Sequence, residues 1–295
     1  MTKKEIDLTD CIRNHSGDET VAYKTVEGKP LYVSLYYPDG YNPKEKYPVF
    51  VFVHGGGWAG RRIFADQEDW AGDHLGFLAR YYARQGYVSV SIDYRLMQDN
   101  GQKDGSMLMD LYEDCVDALV YLKENERKYG LDFERSVLLG ESAGGYMAAA
   151  LITLPYLAHP MPQKAILVNA ITDLLDSRWY QRVPEESHRP VLQGKSKVEI
   201  AHGLSPVYQI SDGTPKTLLL HGTEDSVVYP GHSRSFYDEM CLHGREAELH
   251  LISDTDHAFL LAEYQLEKGK SLSAAAMAIE MIDCWLAENE ERFVE

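Results

Sequence analysis

Short apolar runs alternate with helix-forming stretches along most of this chain of 295 residues. The runs are mostly too apolar to keep one face in water, which is typical of strands that are buried on both faces. Such an alternation predicts an α/β fold, in which a mostly parallel sheet is covered by helices on both sides. The predicted strands are Leu31–Tyr37, Val49–Val53, Val88–Ile92, Val137–Leu139, Ala165–Val168, Thr217–Leu220 and Ala247–Ile252, and the predicted helices are Leu75–Arg84, Leu111–Tyr129, Ala143–Thr153, Gly231–Leu242 and Ala274–Glu288.

The sequence GESAGG at residues 140–145 lies between a predicted strand and a predicted helix. A G-x-S-x-G turn in this position is typical of a nucleophile elbow, where the serine adopts a strained conformation and the glycines let neighbouring backbone pass. The pattern therefore predicts Ser142 as a nucleophile. An ordinary serine in a glycine-rich turn is the alternative, since the motif alone is common.

A second glycine-rich loop, HGGGW at residues 54–58, directly follows the predicted strand PVFVFV. Glycines leave backbone N–H groups open to an anion, so we expect the amides of Gly55, Gly56 and Ala143 to form an oxyanion hole. We assign Trp58 and Glu141 to the substrate pocket, Trp58 as a packed wall and Glu141 as a support beside the nucleophile. A flexible turn is the alternative for the glycine run.

An acid and then a histidine follow this kind of elbow in chain order. The strand-like run KTLLL ends in HGTED at residues 221–225, and AELHLI is followed by SDTDHAF at residues 253–259. Asp225 is the predicted acid and His257 the predicted base. Neutral imidazole would accept the proton of Ser142 and return it to the leaving group, while the carboxylate fixes the tautomer.

Other residues compete for these roles. Asp173 follows the preceding predicted strand and is the alternative acid, and Glu224 adjoins Asp225. We expect Glu224 to point away from the histidine. The remaining candidates near these strands are assigned to backbone-bonding scaffold or to solvated loops: His54, His221, Asp254 and Asp256.

These motifs, in this order, resemble those of α/β-hydrolase esterases and lipases related to hormone-sensitive lipase and the bacterial acetyl esterases. The segment SIDYRL at residues 91–96 resembles the Asp-Tyr-Arg segment of that group, but MQDNG follows it where the group carries Ala-Pro-Glu. The resemblance implies a serine carboxylic-ester hydrolase with the triad Ser142, Asp225 and His257 and no cofactor. A short cap and the absence of a broad apolar lid favour small acyl, acetyl-like esters, with acetylated sugars as one class.

The residues between Leu174 and Gly213 interrupt the alternation with aromatic residues, prolines and charges. An insertion at this point commonly forms a cap above the nucleophile in α/β-hydrolases, so we expect a cap or lid at residues 174–213 within a single domain of residues 1–295. A surface excursion without function is the alternative. The polar stretch up to Thr20 is expected to be a loose arm or to pack near the site.

The net charge of −17 disfavours nucleic acid and anionic membranes as partners, because like charges repel. The four cysteines lack metal-site spacing, so we expect reduced thiols and no metal. The first residues lack the apolar core of a secretion signal, and no stretch approaches the roughly twenty apolar residues of a membrane span. These features favour a cytoplasmic protein that binds a small-molecule ester, and they leave a homodimer open.

Three rival functions share parts of this pattern. A kynurenine formamidase-like amide hydrolase would use the same catalytic groups, since Trp58 also ends the glycine motif of such relatives. A serine peptidase of this fold usually lacks the His-Gly-Gly-Gly loop and often has tyrosine after the nucleophile, where this chain has Ala143. A non-catalytic binding protein on this scaffold usually lacks a triad residue, whereas all three are present here.

Overall fold

One sheet organises the part of the chain that the computed structural model describes, which is residues 8–59, 75–97, 107–187 and 189–288. Its strands within those ranges are β1 (Glu19–Val26), β2 (Lys29–Tyr36), β3 (Tyr47–Val53), β4 (Val88–Ile92), β5 (Leu131–Glu141), β6 (Lys164–Val168), β7 (Lys216–Gly222) and β8 (Ala247–Ile252). Their order across the sheet is β1-β2-β4-β3-β5-β6-β7-β8. β1 and β2 run antiparallel to their neighbours, and the other neighbouring pairs are parallel.

Helices cover both faces of the sheet, as the apolar strands require. They are α1 (Leu8–Arg13), α2 (Gly76–Arg84), α3 (Met107–Glu124), α4 (Ala143–Thr153), α5 (Ser177–Tyr180), α6 (Lys197–Leu204), α7 (Gly231–Leu242), α8 (Ala262–Glu267) and α9 (Ser273–Glu288). One core cluster joins the sheet to α3, α4 and α7, and another joins the opposite face to α1, α2 and α9. The predicted α/β fold is confirmed. Among the described helices, none is long and apolar enough to cross a bilayer.

Part of the amino-terminal stretch, for which either a loose arm or packing near the site was expected, is folded. Residues 1–7 lie outside the described ranges, but α1 packs on α2, and β1 pairs with β2 from Glu19↔Leu35 to Val26↔Lys29. Side chains along β1 are half-buried or exposed. A polar strand at the edge of a sheet has a weak apolar pattern, and the sequence analysis therefore missed it.

The segment at residues 174–213 contains α5, α6 and a short 3-10 turn at Pro206–Tyr208. It packs on the helix after the elbow, because the Tyr146 hydroxyl donates to the Leu204 carbonyl at 3.0 Å. The Val207 amide also donates to the Thr172 carbonyl, in the loop after β6, at 3.1 Å. The insertion therefore lies against the elements that carry the predicted nucleophile, and its role as a cap stays a prediction.

Candidate active site

Ser142 occupies the sharp turn between β5 and α4. Its backbone has φ 56° and ψ −119°, a conformation that L residues rarely adopt. Two glycines make the turn sterically feasible: a Cβ on Gly140 would overlap the Gly144 carbonyl, and one on Gly144 would overlap the backbone of Val53 and His54. The predicted elbow is therefore present in the structure. Strain of this kind is held in place only when the surrounding structure determines it.

The two predicted partners of Ser142 reach it through space from distant loops. His257 lies after β8 and places Nε2 2.9 Å from the Ser142 Oγ. Its Nδ1 lies 2.7 Å from Oδ2 of Asp225, in the loop after β7. Carboxyl ends of parallel strands meet at one edge of a sheet, which explains how the three residues come together. The structure thus joins Asp225, His257 and Ser142 in one hydrogen-bonded chain.

Asp225 is buried, with a side chain that is 0 % exposed. Its Oδ1 accepts the backbone amides of Val227 and Val228, at 2.9 and 2.8 Å. Burial by itself raises the pKa of Asp225, but hydrogen bonds from His221 and His257 outweigh burial and hold the pKa well below its ordinary value. The carboxylate is therefore ionised at neutral pH, as the orienting acid of a triad must be.

His257 is surrounded by negative charge. Burial lowers its pKa, yet the hydrogen bond to Asp225 and the charges of Glu141, Asp225 and Asp256 raise the pKa above the ordinary value of 6.5. Glu141 is 1 % exposed and places Oε1 3.9 Å from the His257 Nε2. The Asp256 carboxylate accepts the amides of Ser226 and His257. This environment favours the imidazolium that forms when a serine is deprotonated.

The glycine loop packs directly on the elbow. A Cβ on Gly55 would overlap the Glu141 side chain and would approach the Ser142 Cβ at 3.1 Å. Gly56 has φ 102°, a conformation that favours glycine. Ala143 is the first residue of α4, so its amide is one of the N–H groups that a helix leaves without an intrahelical partner. The loop and the helix start, both predicted to bind an oxyanion, are therefore adjacent to the serine.

The segment SIDYRL supports this loop. The Tyr94 hydroxyl donates to the His54 carbonyl at 2.7 Å, and the two rings stack with centroids 4.3 Å apart. His54 Nδ1 is 2.8 Å from the Gly55 carbonyl. His54 therefore acts as scaffold, in agreement with the sequence analysis. The residues that replace Ala-Pro-Glu lie outside the described ranges from Gln98 onward.

Trp58 is fully buried rather than open to solvent. Its indole N–H donates to the Ala143 carbonyl at 3.2 Å. The ring packs edge-on against Tyr146, with centroids 5.3 Å apart, and against Trp179 of the insertion, at 5.7 Å. Trp58 thus joins the glycine loop, the elbow helix and the insertion, and its place in a pocket wall stays a prediction.

The two competing acids, Asp173 and Glu224, have other hydrogen-bond partners. Asp173 accepts hydrogen bonds from the Leu175 amide at 2.8 Å and from the Tyr208 hydroxyl at 2.9 Å, both within or next to the insertion. Glu224 is exposed, and its carboxylate lies 3.5 Å from the Thr223 hydroxyl. In the described part of the chain, the aspartate that meets His257 Nδ1 is Asp225.

Sequence reasoning missed the environment of His221. This residue was expected to bond backbone, and its Nε2 does lie 3.0 Å from the Val228 carbonyl, but it also lies 3.2 Å from Asp225 Oδ2. The four-residue spacing of His221 and Asp225 was visible in the sequence. The third contact of the ring, with the Ser233 hydroxyl at 2.7 Å, comes from α7 and has no sequence signal.

Comparison with known proteins assigns the chain to a family. The BD-FAE family profile matches residues 33–240. A rice protein (Oryza sativa subsp. japonica) called probable isoprenylcysteine alpha-carbonyl methylesterase ICMEL1 is 23 % identical over 245 residues, which cover 76 % of this chain and 53 % of that protein. Probable dipeptidyl-aminopeptidase B of Sclerotinia sclerotiorum is 25 % identical, over 79 % of this chain and 24 % of its own length. The chain thus spans about half or less of these two relatives.

Solved structures agree on the fold. Esterase 2 of the planctomycete Thermogutta terrifontis, with propionate bound, superposes with a TM-score of 0.73 at 24 % identity, over 93 % of this chain and 95 % of that one. The butyrate-bound form of the same esterase gives 0.73 at 25 % identity, with the same coverage. The family match covers most of the chain, and the fold agrees with it over nearly the whole length. The chain therefore belongs to the BD-FAE family of α/β-hydrolase esterases.

Proposed function

We propose that this protein is a serine carboxylic-ester hydrolase that acts on small acyl esters through Ser142, His257 and Asp225. The observation that carries the proposal is the continuous hydrogen-bonded chain from Asp225 through His257 to a serine on a strained elbow. A nucleophile and base within hydrogen-bond reach, with a third group orienting the base, are the geometric signature of nucleophilic catalysis.

Acyl transfer would proceed in two steps. His257 accepts the Ser142 proton as Oγ attacks the ester carbonyl, and the imidazolium then donates that proton to the leaving alkoxide. Water, deprotonated by the same imidazole, attacks the acyl-enzyme, and the imidazolium returns the proton to the Ser142 Oγ as the acid is released. Asp225 stays ionised throughout, because its low pKa disfavours proton transfer from the imidazolium.

The oxyanion would bind the amides of Gly55, Gly56 and Ala143. Support comes from the contact of Gly55 with the elbow and from the position of Ala143 at the start of α4. Each positioned donor typically contributes about 3 kcal/mol of transition-state stabilisation. The hole is built from two elements, so its geometry depends on how the loop after β3 packs on the elbow.

Small acyl groups are favoured by two arguments. Trp58, in the glycine loop beside the nucleophile, packs edge-on against Tyr146 and against Trp179 of the insertion, so bulky rings lie close to the elbow helix. The structurally similar Thermogutta esterase has been seen with propionate and with butyrate, which are short acids. Acetylated sugars are one substrate class of this size.

The test is hydrolysis of p-nitrophenyl acetate, butyrate and octanoate by the wild-type protein and by Ser142→Ala. We expect turnover that falls with chain length, and a loss of about three orders of magnitude or more in the variant. Ser16→Ala, which changes an exposed serine of a surface loop, is the matched control and should keep full activity. Equal rates on octanoate and acetate would contradict the small-acyl proposal.

Turnover of amide substrates tests the two rival functions, a formamidase-like amide hydrolase and a serine peptidase. The wild-type protein would be assayed on N-formylkynurenine and on a dipeptide p-nitroanilide beside the acetate ester. We expect the ester to be preferred. Turnover of an amide with no turnover of any ester would overturn the esterase proposal, and activity that survives Ser142→Ala would overturn the nucleophile assignment.

A further inference from the structure

A second buried histidine contacts the carboxylate of Asp225. His221 is in β7, and both its side chain and that of Asp225 are 0 % exposed. Its Nε2 lies 3.2 Å from Asp225 Oδ2, which is the same oxygen that meets His257 Nδ1 at 2.7 Å. Oδ2 therefore contacts two imidazole rings, that of His257 in the loop after β8 and that of His221 in β7.

The contacts of His221 determine where its proton is. Nε2 faces two acceptors, the Val228 carbonyl at 3.0 Å and Asp225 Oδ2, so it must carry hydrogen. Nδ1 lies 2.7 Å from the Ser233 hydroxyl, which can donate to it. Ser233 is fully buried in the first turn of α7. With hydrogen on Nε2, and with Nδ1 accepting from the Ser233 hydroxyl, the ring satisfies all of these contacts.

We propose that His221 and Ser233 are positioning residues that extend the triad into a chain of five side chains, Ser233, His221, Asp225, His257 and Ser142. This inference rests on the proposed function, since it assigns a role to residues that act through Asp225. The Ser233 hydroxyl fixes the His221 tautomer, and the His221 N–H fixes the rotation of the carboxylate. Asp225 then presents Oδ2 to His257 in one orientation.

Both carboxylate oxygens of Asp225 have polar partners. Oδ1 is held by the amides of Val227 and Val228, and Oδ2 by the two histidines. If the donor from His221 were lost, the carboxylate could rotate about its Cβ–Cγ bond toward the remaining donors. His257 would then be less well oriented as Ser142 is deprotonated. Since no substrate contact is involved, kcat should fall while KM stays unchanged.

Two amide variants separate this role from a packing role. In His221→Gln, the side-chain amide can place an N–H near the position of Nε2, whereas in His221→Asn it reaches only the position of Nδ1. We expect His221→Asn to lower kcat for p-nitrophenyl acetate about ten- to a hundredfold, and His221→Gln to recover most of the loss. Ser233→Ala should lower kcat in the same direction but less.

A double-mutant cycle with Asp225→Asn tests whether His221 acts through the carboxylate. If it does, His221→Asn should cause little further loss in the Asp225→Asn background, because the effects of coupled residues are not additive. Rates would be measured at high enzyme concentration above the Ser142→Ala blank, with thermal melts of each variant. Additive losses, or equal losses in the Asn and Gln variants, would assign His221 to packing and overturn the proposal.

The same assays distinguish this inference from the proposed function. If wild-type activity is lost in Ser142→Ala but His221→Asn turns over at the wild-type rate, the triad stands and the positioning role fails. If Ser142→Ala keeps its activity, the nucleophile assignment fails, and the positioning role fails with it.

Discussion

His257 is held among three carboxylates, and the balance of charge around it sets the pH at which it can act as a base. Asp225 bonds Nδ1, Glu141 lies 3.9 Å from Nε2, and Asp256 bonds the backbone amide. Their charges raise the His257 pKa against the opposing effect of burial. Because catalysis needs neutral imidazole, kcat/KM should fall as the pH drops through a value above the ordinary 6.5.

Replacing Glu141 by Gln should shift the acid limb of the pH profile, the range in which kcat/KM falls as the pH drops, to lower pH. Removal of the buried negative charge lowers the His257 pKa, so a larger fraction of imidazole is neutral in acid. The plateau rate should fall, because the imidazolium of the transition state loses the same stabilisation. The measurement is the pH profile of kcat/KM for an ester whose leaving group does not titrate in this range.

Glu224→Gln is the control for that profile. Glu224 adjoins Asp225 in sequence but is exposed, and it is not among the charges that raise the His257 pKa. Its removal should leave the acid limb in place. A profile of Glu141→Gln that superposes on the wild type would show that the Glu141 charge does not act on the base.

The elbow depends on close packing between two segments, since the turn from β5 into α4 contacts the backbone of the loop after β3. Gly144→Ala would place a Cβ onto the backbone carbonyls of Val53 and His54. Backbone cannot move aside as a flexible side chain can, so we expect a loss of stability of about 1–3 kcal/mol or more. Activity per folded molecule should fall as well, because the displaced loop carries Gly55 and Gly56.

Urea denaturation of Gly144→Ala, with an ester assay on the folded fraction, measures both effects. Gly213→Ala is the matched control, since its nearest neighbour would be the Ser211 hydroxyl at 3.8 Å and its backbone needs no positive φ. We expect that variant to be at least as stable as the wild type. If Gly144→Ala were as stable as the wild type, the close approach of Gly144 to the backbone of Val53 and His54 would not require a glycine.

Apolar patterning predicts the central strands, such as β3 and β4, because most of their side chains are buried. β1 was missed because its side chains are half-buried or exposed and half of the residues in ETVAYKTV are polar. Ser142, Asp225 and His257 could be picked out because each follows a predicted strand that ends at the same edge of the sheet. The contact of His221 with Ser233 could not be found in this way, since it depends on how the first turn of α7 packs on β7.

At the scale of the whole molecule, one buried carboxylate joins three separate parts of the chain. Asp114 in α3 has a side chain that is 0 % exposed, and it accepts the Arg95 Nε at 2.7 Å and the Lys24 Nζ at 2.8 Å. Lys24 is in β1, and Arg95 follows β4. Arg189 of the insertion bonds the same helix through Asp110 and Glu113. This group of charges thus connects the edge strand, the motif SIDYRL and the insertion to α3.

Asp114→Asn should therefore be strongly destabilising, although it preserves shape. It removes the charge between two largely buried cations, and breaking one side of a buried ion pair typically costs about 3–5 kcal/mol. Asp117→Asn is the matched control: Asp117 also bonds Lys24, but it is 43 % exposed, and an exposed pair contributes about 1 kcal/mol or less. Urea denaturation compares the two variants in the same buffer. Equal effects would mean that Lys24 and Arg95 find replacement partners in Asp110, Glu113 and Asp117, so that the network rather than Asp114 holds β1 to α3.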